Sequence, residues 1–277
     1  MAGHDPAASR AASPATADKP GRLLLTAATA MELEPLRQAL AEQSSRSTGE
    51  SFDFLVCGVG PTAAAATLAG FLARRAGEYS GVIMPGVAGA YPAAIADTAK
   101  PGPAGDRRAG SGPPPTEPRP GHGPGRGPGV LDICLANREI LGDFGLAAPH
   151  GAEPFDSPEL AADREFDLES PLLQAARQIL QDRRIFFHCG TFVTVNAATT
   201  TQQRGVALAR RHGGLCENME GAAAALVCRN LGLPLLEIRC ISNLVEDRDL
   251  SRWRLAEAIR RNVEILASML PELLKRL

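Results

Sequence analysis

The segment FDFLVCGVGPTAAAATLAGFLARR, Phe52–Arg75, decides the fold class. Its first six residues, Phe52–Cys57, are apolar at all but one position and carry bulky side chains, which reads as a strand. Gly58-Val59-Gly60-Pro61 then turns the chain, and the Ala-rich stretch Thr62–Arg75 reads as a helix. Pro61 suits a first helical turn, where the N–H it lacks has no intrahelical partner. The same strand-then-helix unit recurs on both sides. Arg22–Ala28 (RLLLTAA) is a short apolar run followed by helical spacing at Leu33, Leu36 and Leu40. Downstream, Val82–Met84 is a strand ending in Gly86-Val87-Ala88-Gly89, and Val130–Ala136 is another. Leu172–Gln181 reads as a helix and Arg184–Val195 as a long strand. Thr200–Arg211 is a helix stopped by Gly213-Gly214. Met219–Leu231 is a second Ala-rich helix, and Leu235–Ile241 the next strand. From Ser251 onward the chain reads as a long amphipathic helix disturbed at Pro271. Residues 145–170, acidic and Pro-punctuated, read mostly as loop. The alternation predicts an α/β fold: a single three-layer domain with a central, mostly parallel (mixed) twisted sheet flanked by helices.

Composition sets the domain count. The chain has 277 residues, a formal net charge of −2 and 44% hydrophobic residues. Asp97–Gly129 packs nine Pro and nine Gly into 33 residues, and residues 1–20 are rich in Ala, Pro and Ser. Neither stretch buries enough apolar surface to offset its ordering entropy, so both are expected to be disordered. What remains has the size of one domain, 21–277, interrupted by an insert at 97–129. Near-neutral charge and 4% aromatics leave no footprint for nucleic acid. No apolar run approaches the roughly 18 residues of a membrane helix, and no signal peptide opens the chain. Cys57, Cys134, Cys189, Cys216, Cys228 and Cys240 stand singly in apolar segments, which reads as reduced thiols in a cytoplasmic protein with no metal site. Gly58-x-Gly60-x-x-Ala63 loosely matches a dinucleotide fingerprint, but it follows the second strand and lacks the acidic residue expected about twenty positions on. It reads as a tight structural turn, so no cofactor is expected. His188, inside the apolar run FFHC, reads as a satisfied core histidine.

In parallel sheets ligands bind outside the carboxyl ends of the strands. Four polar clusters lie there: Thr29–Glu34, Gly86–Tyr91, Glu217–Glu220 and Ser242–Asp249. Glu32 and Glu34, taken alone, are carboxylates favoured by a helix N-terminus. Glu217-Asn218-Met219-Glu220 places two carboxylates and a methionine before a helix of small residues. Ile241-Ser242-Asn243 places a hydroxyl and an amide at the exit of the most apolar strand. Each cluster has a structural explanation by itself.

Together, TAATAMELEPL (26–36), PGVAGAYP (85–92), CENMEGAAAALVC (216–228) and EIRCISNLVEDRD (237–249) resemble the nucleoside phosphorylase and nucleosidase superfamily, most of all its futalosine hydrolase branch. The likeness runs from about Arg22 to Leu270 across the insert, and VLDICLANREILGDFG (130–145) resembles the strand and loop after the family's glycine segment. The resemblance implies a nucleoside phosphorylase-like fold, a homo-oligomer, no cofactor, and hydrolysis of the N-glycosidic bond of futalosine in menaquinone biosynthesis, releasing hypoxanthine. By the same resemblance Glu32 orients and deprotonates the attacking water, and Glu220 holds the ribose hydroxyls and the developing charge. Met219 packs on the ribose face, and Val87, Ala88 and Gly89 line the substrate. Phe192 and Val193 occupy the region that sandwiches the base. Asn243 stands where adenine-directed members have Asp; its neutral amide presents N–H donors to O6 and N7 of a 6-oxopurine, with Ser242 orienting it.

In the phosphorylases that the chain resembles, the segment equivalent to 84–87 supplies Arg and Ser/Thr side chains to phosphate; Met84-Pro85-Gly86-Val87 offers neither cation nor hydroxyl, so the resemblance implies water as nucleophile. Pro85, Glu246 and Leu141 depart from the family pattern. Arg248 and Arg252 are candidate partners for the benzoate arm of futalosine. Two alternatives stay open: a methylthioadenosine, S-adenosylhomocysteine or inosine nucleosidase, and a nucleoside-binding protein without turnover.

Overall fold

The computed structural model describes residues 21–43, 51–92, 127–148, 151–153 and 162–276, with the single positions 155, 157 and 159. The extension expected at 1–20 lies outside the described residues, and of the insert expected at 97–129 only 127–129 fall within them.

The first half supplies β1 (Arg22–Ala27), α1 (Ala30–Gln43), β2 (Phe52–Val56), α2 (Pro61–Ala73) and β3 (Tyr79–Ala90). The second supplies β4 (Ile133–Leu141), the short strands β5 (Leu146–Ala148), β6 (Gly151–Glu153) and β7 (Glu165–Asp167), then α3 (Pro171–Asp182) and β8 (Phe187–Thr194). It ends with α4 (Gln202–His212), β9 (Gly214–Asn218), α5 (Gly221–Leu231), β10 (Leu235–Leu244) and α6 (Leu255–Lys275). Local chemistry sets the helix ends. The Ser170 and Thr201 side chains accept the N–H groups of Leu173 and Arg204 at the starts of α3 and α4. Gly213 and Gly232 close α4 and α5 in the left-handed conformation, with φ of 61° and 67°. Helix α6 runs through Pro271 without interruption. Pro271 forfeits one hydrogen bond near the helix end, and the buried row Ile265, Leu266, Met269, Leu270 and Leu273 holds the helix to the sheet.

The layers follow from the two-residue period of a strand. Leu23, Leu25, Leu236 and Ile238 pack with α1, α3 and α6, whereas Leu24, Val82 and Leu235 face α2 and α5. The sheet order is β2-β1-β3-β9-β8-β4-β10, and β10 returns to pair with β3. The α/β class therefore holds, and the sheet closes on itself: β3, β9, β8, β4 and β10 form a five-stranded ring, with β1 and β2 continuing beside it. Most pairings are parallel; β10–β4, β3–β9 and β4–β7 are antiparallel.

Closure depends on the length of β3, 12 residues where the sequence suggested three. Along one edge β3 meets β10 from Val82 to Ala90. Along the other it meets β1 up to Ile83, then β9 at Gly89 and Ala90. Residues 84–88 have no strand partner on that second edge. The site opens into this gap.

Candidate active site

Thr29 and Glu32 form a capping box at the start of α1. The Glu32 N–H reaches Thr29 Oγ1 at 3.4 Å, while the Thr29 N–H and hydroxyl donate to Glu32 Oε2 at 3.2 and 2.9 Å. One carboxylate oxygen is thereby fixed. The other, Oε1, accepts the N–H of Val87 at 3.3 Å, a donor that the unpaired edge of β3 leaves unspent.

Across the β3–β10 ladder, Gly86 is in register with Arg239. The guanidinium is 2% exposed and lies over the glycine, so that a methyl group there would overlap Nη1 and sit 3.0 Å from Glu32 Oε1. Glu237, two residues earlier on the same face of β10, accepts from Arg239 Nε at 2.8 Å. Burial opposes the guanidinium's charge, but the carboxylates of Glu237, Glu220 and Glu32 outweigh it and raise the Arg239 pKa. Sequence reasoning did not mark Arg239 or Glu237. The available signal was two opposite charges at i and i+2 in an otherwise apolar strand, which places both on one buried face.

Glu220 stands at the N-cap position of α5 without capping it through its side chain, and is 5% exposed. Its Oε1 accepts the Gly60 N–H at 3.0 Å. Gly58 and Gly60 hold φ of 89° and 88°, a conformation that L side chains rarely adopt. The GVG turn, read from sequence as structural, thus also anchors a site carboxylate. Burial raises the Glu220 pKa, and Arg239 and the Gly60 N–H pull it back. Behind it, Asn218 Oδ1 accepts the N–H groups of Glu220 and Gly221 at 2.9 and 2.7 Å, and Thr194 Oγ1 accepts that of Ala222 at 2.8 Å. The donors of both side chains go to Glu139, at 2.8 Å from Thr194 and 2.5 Å from Asn218. Glu139 is completely buried, and burial together with neighbouring Glu237 pushes its pKa up. A methyl group on Gly221 would overlap Glu139 Oε1 and lie 2.5 Å from Glu237 Oε2. Only glycine fits between this pair of acids.

At the exit of β10 the Ser242 hydroxyl donates to Asn243 Oδ1 at 2.7 Å. One amide N–H of Asn243 goes to the Leu244 carbonyl at 3.1 Å, which leaves one N–H for a ligand where the sequence reading counted two. Ala88, within β3, is buried and its carbonyl faces the Ser242 hydroxyl at 3.3 Å. Gly89 sits between Asn243 and Glu217. Met219 is half-buried against the cluster of Tyr91, Val193, Val195 and Val245. Phe192, fully buried, belongs to the opposite cluster with Phe166, Ala222 and Ala223. Neighbours along a strand face opposite ways, so the structure joins Val193 to Met219 and separates Phe192 from both. Arg248 and Arg252 line a cavity of about 60 Å³ with Asn243, Thr199 and Trp253, and Arg252 is ion-paired to Glu246. Among the described residues no group of three His, Cys, Asp or Glu side chains is placed to hold a metal.

The Phosphorylase superfamily model matches residues 121–275. The chain belongs to the phosphorylase superfamily. Futalosine hydrolase from Thermus thermophilus is 30% identical over 225 residues, which cover 81% of this chain and 83% of that protein. Futalosine hydrolase from Streptomyces coelicolor is 32% identical over 155 residues, 54% of this chain and 64% of that protein. The solved structure of 5′-methylthioadenosine/S-adenosylhomocysteine nucleosidase from Helicobacter pylori has a TM-score of 0.67 at 16% identity, covering 91% of this chain and 98% of that one. At that identity the match speaks for the fold. In this phosphorylase superfamily member the gap along β3 collects carboxylates from three separate elements around one guanidinium.

Proposed function

We propose that the protein hydrolyses the N-glycosidic bond of futalosine, releasing hypoxanthine and dehypoxanthine futalosine, and so serves menaquinone biosynthesis. The observation that carries the reading is the convergence of Glu32 and Glu220 on buried Arg239, in a chain 30% identical to a futalosine hydrolase. Glycosidic cleavage makes C1′ positive while charge passes to the base. Glu220 accepts hydrogen bonds from the ribose hydroxyls and stabilises that positive charge. Glu32 takes a proton from the attacking water, which forms the new C1′–O bond. The electron pair of the broken C1′–N bond stays on hypoxanthine, stabilised by the free N–H of Asn243 until the base is protonated. Met219 and Val193 supply apolar contact, with Val87, Ala88 and Gly89 along the substrate.

Charge favours water over phosphate. Arg239 faces three carboxylates, Glu32, Glu220 and Glu237, and is already bonded to the last. A phosphate dianion entering here meets the negative charge of those carboxylates. Arg248 at the cavity by Asn243 is suited to the benzoate arm, whereas Arg252 is engaged by Glu246. We further propose a cytoplasmic homo-oligomer that needs no cofactor. The test is incubation with futalosine in phosphate-free buffer while hypoxanthine is followed. Release without phosphate is expected. No release, release that requires phosphate, or faster release of adenine from methylthioadenosine would overturn the assignment.

A further inference from the structure

Behind Glu220 lies a pair of acids that the chemistry above does not use. Glu139 is completely buried on β4, and its partners across the sheet are Phe166 of β7 and Phe192 of β8. Directly paired residues project from the same face, so the carboxyl is flanked by two rings. Facing it is Glu237 of β10, also completely buried. A methyl group on Gly221 would overlap Glu139 Oε1 and lie 2.5 Å from Glu237 Oε2, so these two oxygens share one small gap. The two side chains are hydrogen-bonded to each other. Two ionised carboxylates have no donor to offer, so that bond requires a proton. No other donor reaches Glu237 Oε2. The remaining contacts divide the pair. Glu237 Oε1 accepts from Arg239 Nε at 2.8 Å, and a buried guanidinium needs its counter-charge in direct contact. Glu139 receives neutral donors instead, the Thr194 hydroxyl at 2.8 Å and the Asn218 amide at 2.5 Å. That division favours charge on Glu237 and the proton on Glu139.

We propose that Glu139 is a neutral acid that donates a hydrogen bond to Glu237 Oε2, and that the pair positions both sides of the site. One arm runs through Glu237 to Arg239 over Gly86. The other runs through Thr194 and Asn218, whose oxygens hold the N–H groups of Glu220, Gly221 and Ala222, and so sets the start of α5 and the Glu220 carboxylate. Glu139 is thus a positioning residue. The positioning role rests on the nucleosidase reading, whereas the protonation stands apart from it. Removing the proton would set two negative charges face to face in a gap lined by aromatic rings, where like charges are not screened. Their repulsion would push β10 from α5 and part Arg239 from Glu220. Burial and Glu237 both raise the Glu139 carboxyl, in keeping with this arrangement.

The first experiment reads the proton. Infrared spectroscopy of the parent protein at neutral pH should show the carbonyl band of a protonated carboxyl group, and Glu139→Gln should lose it. A parent spectrum without such a band overturns the proposal with no variant needed, as does a band undiminished in Glu139→Gln. Linkage gives an independent reading. In the unfolded chain Glu139 ionises above the ordinary 4.5, so unfolding the parent at neutral pH releases a proton that Glu139→Gln lacks. The folded-to-unfolded ratio of the parent should fall against that of the variant by about tenfold per pH unit above that value. A difference that does not change with pH overturns the proposal. Glu237 and Arg239 from β10, Glu220 from α5 and the thiols of Cys134 and Cys216 are the titratable groups around the pair, and both proteins share them. The second experiment reads position through kcat for hypoxanthine release from futalosine. Glutamine still donates to Glu237 and accepts from Thr194, so Glu139→Gln should stay within about tenfold of the parent. Glu139→Leu offers neither contact and should lose on the order of 100-fold. Equal kcat in the two folded variants would remove the positioning role. A parent that fails to cleave futalosine while showing the band would remove the reaction and leave the protonated pair.

Discussion

Alanine at position 86 puts one methyl group into the narrowest part of the site. Gly86 is not among the glycines of positive φ, so the backbone accepts alanine and the whole effect is steric. The methyl would overlap Arg239 Nη1, and would lie 3.2 Å from its Cζ and 3.0 Å from Glu32 Oε1, where ordinary contact begins at 3.4 Å. The guanidinium, enclosed on every side and bonded to Glu237, has to retreat by on the order of 1 Å, a displacement that lowers turnover by on the order of 100-fold. The same crowding should reduce stability by about 1–3 kcal/mol, as overfilled cores do. For a domain of this size that lowers Tm by roughly 2–12 °C. The assay is hypoxanthine release from futalosine, alongside thermal unfolding to show that the variant is folded at the assay temperature. Unchanged turnover in Gly86→Ala would refute the reasoning, because the guanidinium could then not be held over Gly86 against the two carboxylates.

Other outcomes follow from the same geometry. Glu220→Ala should lose most turnover while still unfolding cooperatively; near-normal activity would remove Glu220 from the mechanism. Burial holds the Glu220 carboxyl above the ordinary 4.5, and only the ionised form carries the negative charge that stabilises C1′. Activity should therefore be lost as pH falls through that raised value, and an acid limb of kcat/KM at or below pH 4.5 would contradict the assignment. Asn218→Ala strips the cap from two N–H groups of α5, at a cost of about 1–2 kcal/mol for the cap itself, read as a fall in Tm by calorimetry. Replacing residues 97–126 by a short linker should leave a cooperatively folding protein, since β3 and β4 on either side both pair with β10. A product without a thermal transition would mean that the insert does more than interrupt the domain.

The alternation of strands and helices was legible because each element carries its own period, as Leu23, Leu24 and Leu25 show by facing alternate layers. The start of α1 was legible because carboxylates such as Glu32 and Glu34 suit a helix N-terminus, whereas the cap that Glu32 forms with Thr29 was seen only in the structure. Ring closure was not, because it depends on β3 exchanging β1 for β9 at a point where Pro85, Gly86 and Gly89 break the strand signal. Strand β9, Gly-Leu-Cys-Glu-Asn, is short and ends in polar residues, and so stood unassigned between the Gly213-Gly214 stop and the helix that begins at Met219. Arg239 escaped notice for a related reason. Glu237 lies only two residues away, but the other carboxylates that act on Arg239, Glu32 and Glu220, lie 207 and 19 residues away in sequence. Asn243 was visible as a residue type at a strand exit, but the loss of one amide N–H to Leu244 is set by backbone direction and required coordinates.

The exchange of partners along β3 also governs when the molecule becomes competent. Val87 can give its N–H to Glu32 only after β1 has docked on the first part of β3, and Arg239 reaches Gly86 only after β10 has zipped along the other edge. Glu220 takes its place when β9 closes the ring. No half of the chain holds a partial version of this arrangement, so intermediates that retain secondary structure should be inert. Turnover in this protein is thus a report on topology: it reads whether the last strand pairing has been made.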